Sequence, residues 1–141
     1  MPRLTVWFIR ASLVYLLVGF SFGAMMLIYK VRPLYPFMWW VRPSHVEFLL
    51  LGWTVQLVMG VAFWILPRFE GGTGRGSVWM VWGAFALLNA GVILASLASL
   101  LNLPVWIHLT GRILEFGAVV AFASHAVPRV KPFGHILPGK D

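Results

Sequence analysis

The chain has 141 residues, of which 60% are hydrophobic and only 11% are charged. A soluble domain carries about 25% charged residues, so this composition excludes a soluble globular protein and predicts a protein of the lipid bilayer. The formal net charge of +7 comes mostly from Lys and Arg that flank apolar runs and meet anionic headgroups, so we do not expect a nucleic-acid partner.

Four apolar runs are each close to the ~20 residues that a membrane-spanning helix needs. The sequence therefore predicts an all-α, polytopic membrane protein, in which residues 1–141 form a single four-helix transmembrane domain with a short polar C-terminal tail. The first run is too long for the core of a signal peptide and lacks a small-residue cleavage site, so we expect it to be a helix. The predicted spans are Trp7–Tyr29, His45–Leu66, Val78–Leu101 and Val105–Val127.

The connections between the runs indicate how the helices are arranged. The proline- and tryptophan-rich segment 30–44 is expected to be a rigid interfacial loop, the uncharged segment 101–103 a tight hairpin, and the glycine-rich segment 70–76 a flexible loop. Basic residues are more frequent on the side that holds both termini, which favours N and C termini inside. On that side lie Arg3, Arg10, Arg68, Arg75, Arg129, Lys131 and Lys140, against Lys30, Arg32 and Arg42 on the other.

The second predicted helix begins with a polar cluster, Ser44, His45 and Glu47. The spacing fits a capping box, in which Ser44 is the N-cap and Glu47 reaches back to its amide. That role alone could account for Glu47. Because histidine is costly in a membrane helix unless it is paired or ligated, His45 is interpreted as a metal ligand or as an interfacial first-turn residue.

Gly52 and Gly60 follow His45 on the same helix face, at spacings near 3.6 residues. A glycine on such a face lets another backbone or a flat macrocycle approach closely. Gly52 is therefore expected either to pack against a neighbouring helix or to form the wall of a porphyrin site.

The fourth predicted helix carries His108, Arg112 and Glu115 on one face. A polar stripe within a spanning helix is expected to face the inside of the bundle. Arg112 either pairs with Glu115 or holds an anionic propionate while His108 faces iron. Asn102 is expected to cap this helix, and Pro104 suits its first turn.

The absence of cysteine excludes disulfides, thiolate metal sites and covalent c-type haem attachment. Any metal must then be held by histidine, carboxylate or methionine side chains. The glycine-rich run 71–76 lacks the Gly-Lys-Ser/Thr ending of a phosphate-binding loop. His125 and His135 are expected to be interfacial or solvated and are not assigned to a site.

Two strings in the second helix carry a resemblance to a known family: His45-Val-Glu47-Phe-Leu-Leu-Leu-Gly52-Trp53 and, further on, Gly60-Val-Ala-Phe-Trp-Ile-Leu-Pro67-Arg68. Together they resemble the haem-ligand helix of the main subunit of the haem–copper oxidase superfamily, which includes the nitric oxide reductases. The resemblance implies that His45 is an axial ligand of a non-covalently bound haem b near the outer face.

The chain also departs from that family, whose main subunit has three four-helix arcs where this chain has the length of one. None of its other histidines reproduces the copper-binding pattern, so the resemblance does not imply a complete oxidase, and no catalytic residue is assigned. Three copies could instead close into a homotrimer with haem between protomers. The second axial ligand would then be His108, Glu47 or a residue of another protomer.

We therefore expect a haem b protein, with His45 and His108 as iron ligands, that serves electron transfer or haem-linked sensing in a prokaryotic inner or cell membrane. Quinol or respiratory-chain subunits would be its redox partners, although no residue marks a quinol pocket. Two alternatives stay open. One is a structural subunit without haem in a larger respiratory complex, and the other is a haem-dependent reductase with an open axial site and Glu47 as proton donor.

Overall fold

The computed structural model describes residues 1–32, 38–67, 74 and 76–130, and it is all-helical over this part of the chain apart from short turns. Its elements, in chain order, are α1 (Arg3–Val31), α2 (Met38–Glu47), a π-helical segment (Phe48–Val55), α3 (Gln56–Ile65), α4 (Val78–Leu100), α5 (Val105–Ala126) and a 3-10 turn (Val127–Arg129).

The helices form four spans that are long and apolar enough to cross a membrane. The second span is composite, because α2, the π-helical segment and α3 follow one another without a break. The four-span, all-α architecture predicted from the apolar runs is thereby confirmed. The spans are Arg3–Val31, Trp40–Ile65, Val78–Leu100 and Val105–Arg129.

The spans alternate in direction, so the bundle has two distinct ends. At one end, Gly60 of α3 lies against Phe8 of α1, and Arg129, after α5, donates a hydrogen bond to the carbonyl of Phe63. We call this the terminal end. The opposite, or hairpin, end holds the turn at residues 101–103 between α4 and α5.

The start of the second span differs from the prediction. α2 begins at Met38 and contains Pro43, so the proposed capping box at Ser44 is wrong. Ser44 lies inside the helix, where its buried Oγ donates to the carbonyl of Ser96 on α4 (3.0 Å). Proline removes a backbone donor but is tolerated in membrane helices when neighbouring groups satisfy the freed backbone, so Pro43 did not mark a boundary.

The turn between α4 and α5 is as tight as predicted, but Asn102 does not cap α5. Asn102 has a φ of 50°, the left-handed conformation that commonly ends a helix. The N–H of Leu103 donates to the carbonyl of Ala98 (2.9 Å), which satisfies an end carbonyl of α4. Asn102 therefore ends α4, and Pro104 precedes the first turn of α5.

The π-helical segment occupies the middle of the second span, where the sequence analysis expected a regular α-helix. The backbone N–H of Gln56 donates to the carbonyl of Leu51, five residues earlier. Backbone i→i+5 bonds of this kind widen the helix and are frequent near functional sites. The side chain of Thr54 also donates, through Oγ1, to the carbonyl of Leu49 (2.9 Å). The segment begins directly after Glu47.

Small residues bring the helices into close contact. A Cβ at Gly60 would lie 2.5 Å from the Cβ of Phe8, and a Cβ at Gly19 would lie 2.6 Å from the Cδ2 of Leu49. Between α4 and α5, a Cβ at Gly91 would lie 2.8 Å from the carbonyl oxygen of Gly111. Membrane helices associate through such small residues because lipid gives no hydrophobic drive for packing.

Arg129 closes the terminal end. It is only 1% exposed, and its guanidinium donates to the carbonyls of Pro67 (2.9 Å), Leu66 (2.8 Å) and Phe63 (3.2 Å). The last carbonyls of a helix have no partner within the helix and favour a cation. Arg129 thus joins the end of α5 to the end of α3.

We expect Gly91→Ala to destabilise the bundle by about 1–3 kcal/mol, the usual cost of overpacking. Its Cβ would lie 2.7 Å from the Cγ of Glu115 and 2.8 Å from the carbonyl oxygen of Gly111. Gly83→Ala, on the same helix, is the matched control, because nothing lies within 4 Å of a Cβ at Gly83. Thermal unfolding in detergent, followed by circular dichroism, measures the difference. Equal stability of the two variants would contradict the close contact between α4 and α5.

Candidate functional site

Arg112, on α5, binds two carboxyl groups from two different helices. Its Nη2 lies 2.6 Å from Oε2 of Glu47, at the end of α2. Its Nη1 donates to Oε2 of Glu115, one turn later on α5 (2.8 Å). We call these three residues the Glu–Arg–Glu cluster. It connects the second and fourth spans in the half of the bundle nearer the hairpin.

The carboxyl groups of the cluster lie inside the protein, whereas the guanidinium lies at its surface. Glu47 is 5% exposed and Glu115 is 6% exposed, but the side chain of Arg112 is 52% exposed. The second oxygen, Oε1, of each carboxyl group is buried and has no hydrogen-bond partner in the described part of the chain. Arg112 therefore neutralises one side of a buried acidic pair and leaves the other side uncompensated.

The pairing of Arg112 with Glu115 is confirmed, while the contact with Glu47 was missed. Glu47 faces α5 and does not cap its own helix. The sequence contained a signal for this contact. Charged groups in spanning helices pair with one another, and the described spans offer few charged partners away from their ends. Two N–H groups of Arg112 already bind carboxylates. Its predicted role in holding a haem propionate stays a prediction.

His45 lies against α1. Its Nδ1 is 2.7 Å from the carbonyl oxygen of Gly19. A carbonyl can only accept, so Nδ1 carries the proton and Nε2 keeps its lone pair in the neutral ring. Metal-binding histidines almost always have their second ring nitrogen fixed in this way. The donor chemistry of His45 therefore fits an axial ligand of haem iron.

A second glycine of α1 makes room for the His45 ring. A Cβ at Gly23 would lie 2.8 Å from the ring Cε1. Gly19 and Gly23 form a Gly-x-x-x-Gly pair, a pattern that lets membrane helices approach closely. This pair of glycines in the sequence could have predicted which face of α1 receives His45.

His45 and Glu47 point in different directions. Residues two apart on a helix are separated by about 200° around its axis, so these side chains leave α2 on opposite sides. His45 contacts Gly19 of α1, and Glu47 contacts Arg112 of α5. Within one protomer the two side chains therefore belong to different sites.

His108 lies on α5, one turn before Arg112, and is half-buried. The helix that carries it packs mainly on α4, whereas α2 packs on α1 and α4. Among the described side chains, no hydrogen bond or ring contact joins His108 to His45. The structure places both histidines toward the hairpin end without bringing them into contact.

Gly52 is covered by Tyr15 of α1. A Cβ at Gly52 would lie 2.6 Å from the ring Cγ of Tyr15, and the Tyr15 hydroxyl donates to Oδ1 of Asn89 (3.0 Å). At this position the structure shows helix packing, which is one of the two interpretations of Gly52. The porphyrin-wall interpretation stays a prediction.

His125 is buried, so of its two expected placements, interfacial or solvated, the solvated one is wrong. It is 4% exposed, its ring lies 5.7 Å from the ring of Phe63, and its Nε2 is 3.3 Å from Nη1 of Arg129. It belongs to the packing of the terminal end. His135 lies outside the described residues.

Over the described ranges, no group of three or more His, Asp or Glu side chains could hold a metal ion. Haem iron requires only one or two protein ligands, and His45 offers one. Comparisons of the chain with protein-family models, with curated proteins and with solved structures found no match. The function proposed below therefore depends on the geometry of the chain's own residues.

We expect Arg112→Gln to lower the free energy of unfolding by about 3 kcal/mol, the lower end of the range for breaking a buried ion pair, because the guanidinium is half-exposed. Glu47→Gln should cost less, since the amide oxygen still accepts from Arg112. Thermal unfolding of both variants in the same detergent checks the order. Equal stability of Arg112→Gln and the wild type would show that the cluster contributes nothing to the fold.

Proposed function

We propose that this chain is a membrane protein that binds haem b non-covalently, with His45 as an axial ligand, and that it serves electron transfer. The observation that carries the proposal is the hydrogen bond from Nδ1 of His45 to the carbonyl of Gly19 (2.7 Å). It fixes the tautomer in which Nε2 can donate its lone pair to iron.

The surroundings of His45 support the same role. Gly19 and Gly23 hold the imidazole against the α1 backbone, and the ring is half-buried rather than enclosed. The Nδ1–Cε1 edge of the ring thus lies against α1, and the side chain as a whole is partly exposed. An orienting hydrogen bond of this kind raises ligand basicity and tunes the metal.

Bound haem b would supply a one-electron couple, and the chain's residues would hold it. Glu47 is not proposed as a ligand, because its carboxylate is paired with Arg112 on the other side of α2. A second axial ligand would come from His108 or from another protomer. Because His45 and His108 are not in contact within the chain, we favour ligation between protomers of a homotrimer, with quinol or a respiratory-chain subunit as redox partner.

The contact between His45 and Gly19 is equally compatible with one other function, a structural subunit of a larger membrane complex. In that case His45 would only join α2 to α1, since a polar side chain within a membrane span needs a partner. Haem content separates the two functions.

We expect the detergent-purified protein to show b-type bands in its reduced-minus-oxidised visible spectrum, and His45→Ala to lose them. His108→Ala should lose them if His108 is the second ligand. His135→Ala, in the C-terminal tail, is the matched control and should keep the wild-type spectrum. A wild-type protein without haem bands, after expression with adequate haem supply, would overturn the proposal and leave the structural subunit.

A second variant tests the orientation of His45 without removing it. We expect Gly23→Val to lose most bound haem, because a side chain there would meet the ring Cε1 at 2.8 Å and displace it from the Gly19 carbonyl. Haem per protein is measured by the pyridine haemochrome method, and helix content by circular dichroism. Full haem content in Gly23→Val would show that this placement of the ring is not needed.

A further inference from the structure

Glu115 lies deep in the bundle. It stands ten residues beyond Val105, the first residue of α5, which corresponds to about 15 Å at 1.5 Å per residue. The hydrocarbon core of a bilayer is about 30 Å thick, so in a helix that enters it at Val105 this carboxyl group would lie near the middle. A charge at this depth is costly unless it is fully paired.

If both carboxyl groups of the Glu–Arg–Glu cluster were ionised, the cluster would carry a net charge of one negative. Arg112 supplies one positive charge to two carboxyl groups, and its contact with Glu47 (2.6 Å) is shorter than its contact with Glu115 (2.8 Å). From the other elements packed here, α4 contributes Gly91 and carries no titratable residue. His45 faces α1, and His108 lies one turn from Arg112 in the direction of the hairpin.

The hydrogen bonding of Glu115 also favours a neutral carboxyl group. Its Oε1 is buried and has no partner among the described residues, although the residue is only 6% exposed. An unpaired buried oxygen costs far more free energy in an ionised carboxylate than in a neutral carboxyl group. A proton on this group removes both the excess charge and most of the desolvation cost.

We propose that Glu115 is a proton-binding site within the membrane domain: its carboxyl group holds a proton at neutral pH, while Arg112 pairs with Glu47. On release, the O–H bond of the carboxyl group breaks, the proton passes to a water molecule, and a carboxylate and a hydronium ion result. The half-exposed Arg112 then shares its charge between both carboxylates. This proposal does not depend on haem binding.

The test is infrared spectroscopy of the full chain in lipid vesicles as a function of pH. We expect a carbonyl band of a protonated carboxylic acid at neutral pH, which shifts when glutamate is labelled with 13C at its side-chain carboxyl group. The band should disappear reversibly as the pH is raised. Because only glutamate is labelled, the shift excludes Asp141, and it requires no variant.

Variants assign the band to one residue. Glu115→Gln should abolish it, and Glu70→Gln, in a connecting segment, is the matched control that should keep it. Glu47→Gln should also abolish it, because Arg112 then pairs with Glu115 alone and keeps it ionised. Helix content by circular dichroism identifies any variant that fails to fold, and the labelled wild type then decides.

Three results would overturn the proposal. The first is the absence of a labelled carboxylic acid band in the wild type at neutral pH. The second is a band that persists in folded Glu115→Gln. The third is a band that sodium ions remove at constant pH when they replace choline, because the cluster would then bind a metal cation rather than a proton. Haem bands are measured separately, so a failure here leaves the haem proposal untouched.

Discussion

A polar group buried between apolar helices must find its partner in the protein, and in this bundle the guanidinium of Arg112 is the partner of two carboxyl groups. Its bond to Glu47 connects the second and fourth spans toward the hairpin end, as the bonds of Arg129 connect them at the terminal end, and its bond to Glu115 lies within α5. Hydrocarbon offers no alternative partner to these groups. The contact between Glu47 and Arg112 therefore requires that α2 and α5 turn these two side chains toward each other.

Glycine allows this arrangement. Gly91 lies against Glu115, and a Cβ there would also meet the backbone of α5, so the carboxyl group can be buried between α4 and α5 only without a side chain at this position. On the other side of the bundle, Gly19 and Gly23 do the same for His45. In both places a polar side chain of one helix loses hydration and packs closely against a glycine of the neighbouring helix.

The sequence was sufficient for the spans but not for all of their contacts. Apolar length predicted four helices because the bilayer thickness sets that length, and the pair Arg112–Glu115 followed from helical spacing alone. The contact with Glu47 depends on how two helices are rotated and shifted against each other, which periodicity within one helix does not determine. Pro43 was misleading, because its usual effect on soluble helices was applied to a membrane helix that tolerates it.

His45 and Glu47 leave α2 on opposite sides, and this separation constrains how the proposed functions could interact. His45 contacts the backbone of α1, while Glu47 holds the ion pair with α5, so an electron at a haem beyond His45 and a proton at Glu115 would have the width of α2 between them. A helix with its side chains is about 10 Å across, and at that distance charges still interact where water is excluded. The two proposed sites would therefore influence each other through the electric field without sharing a ligand.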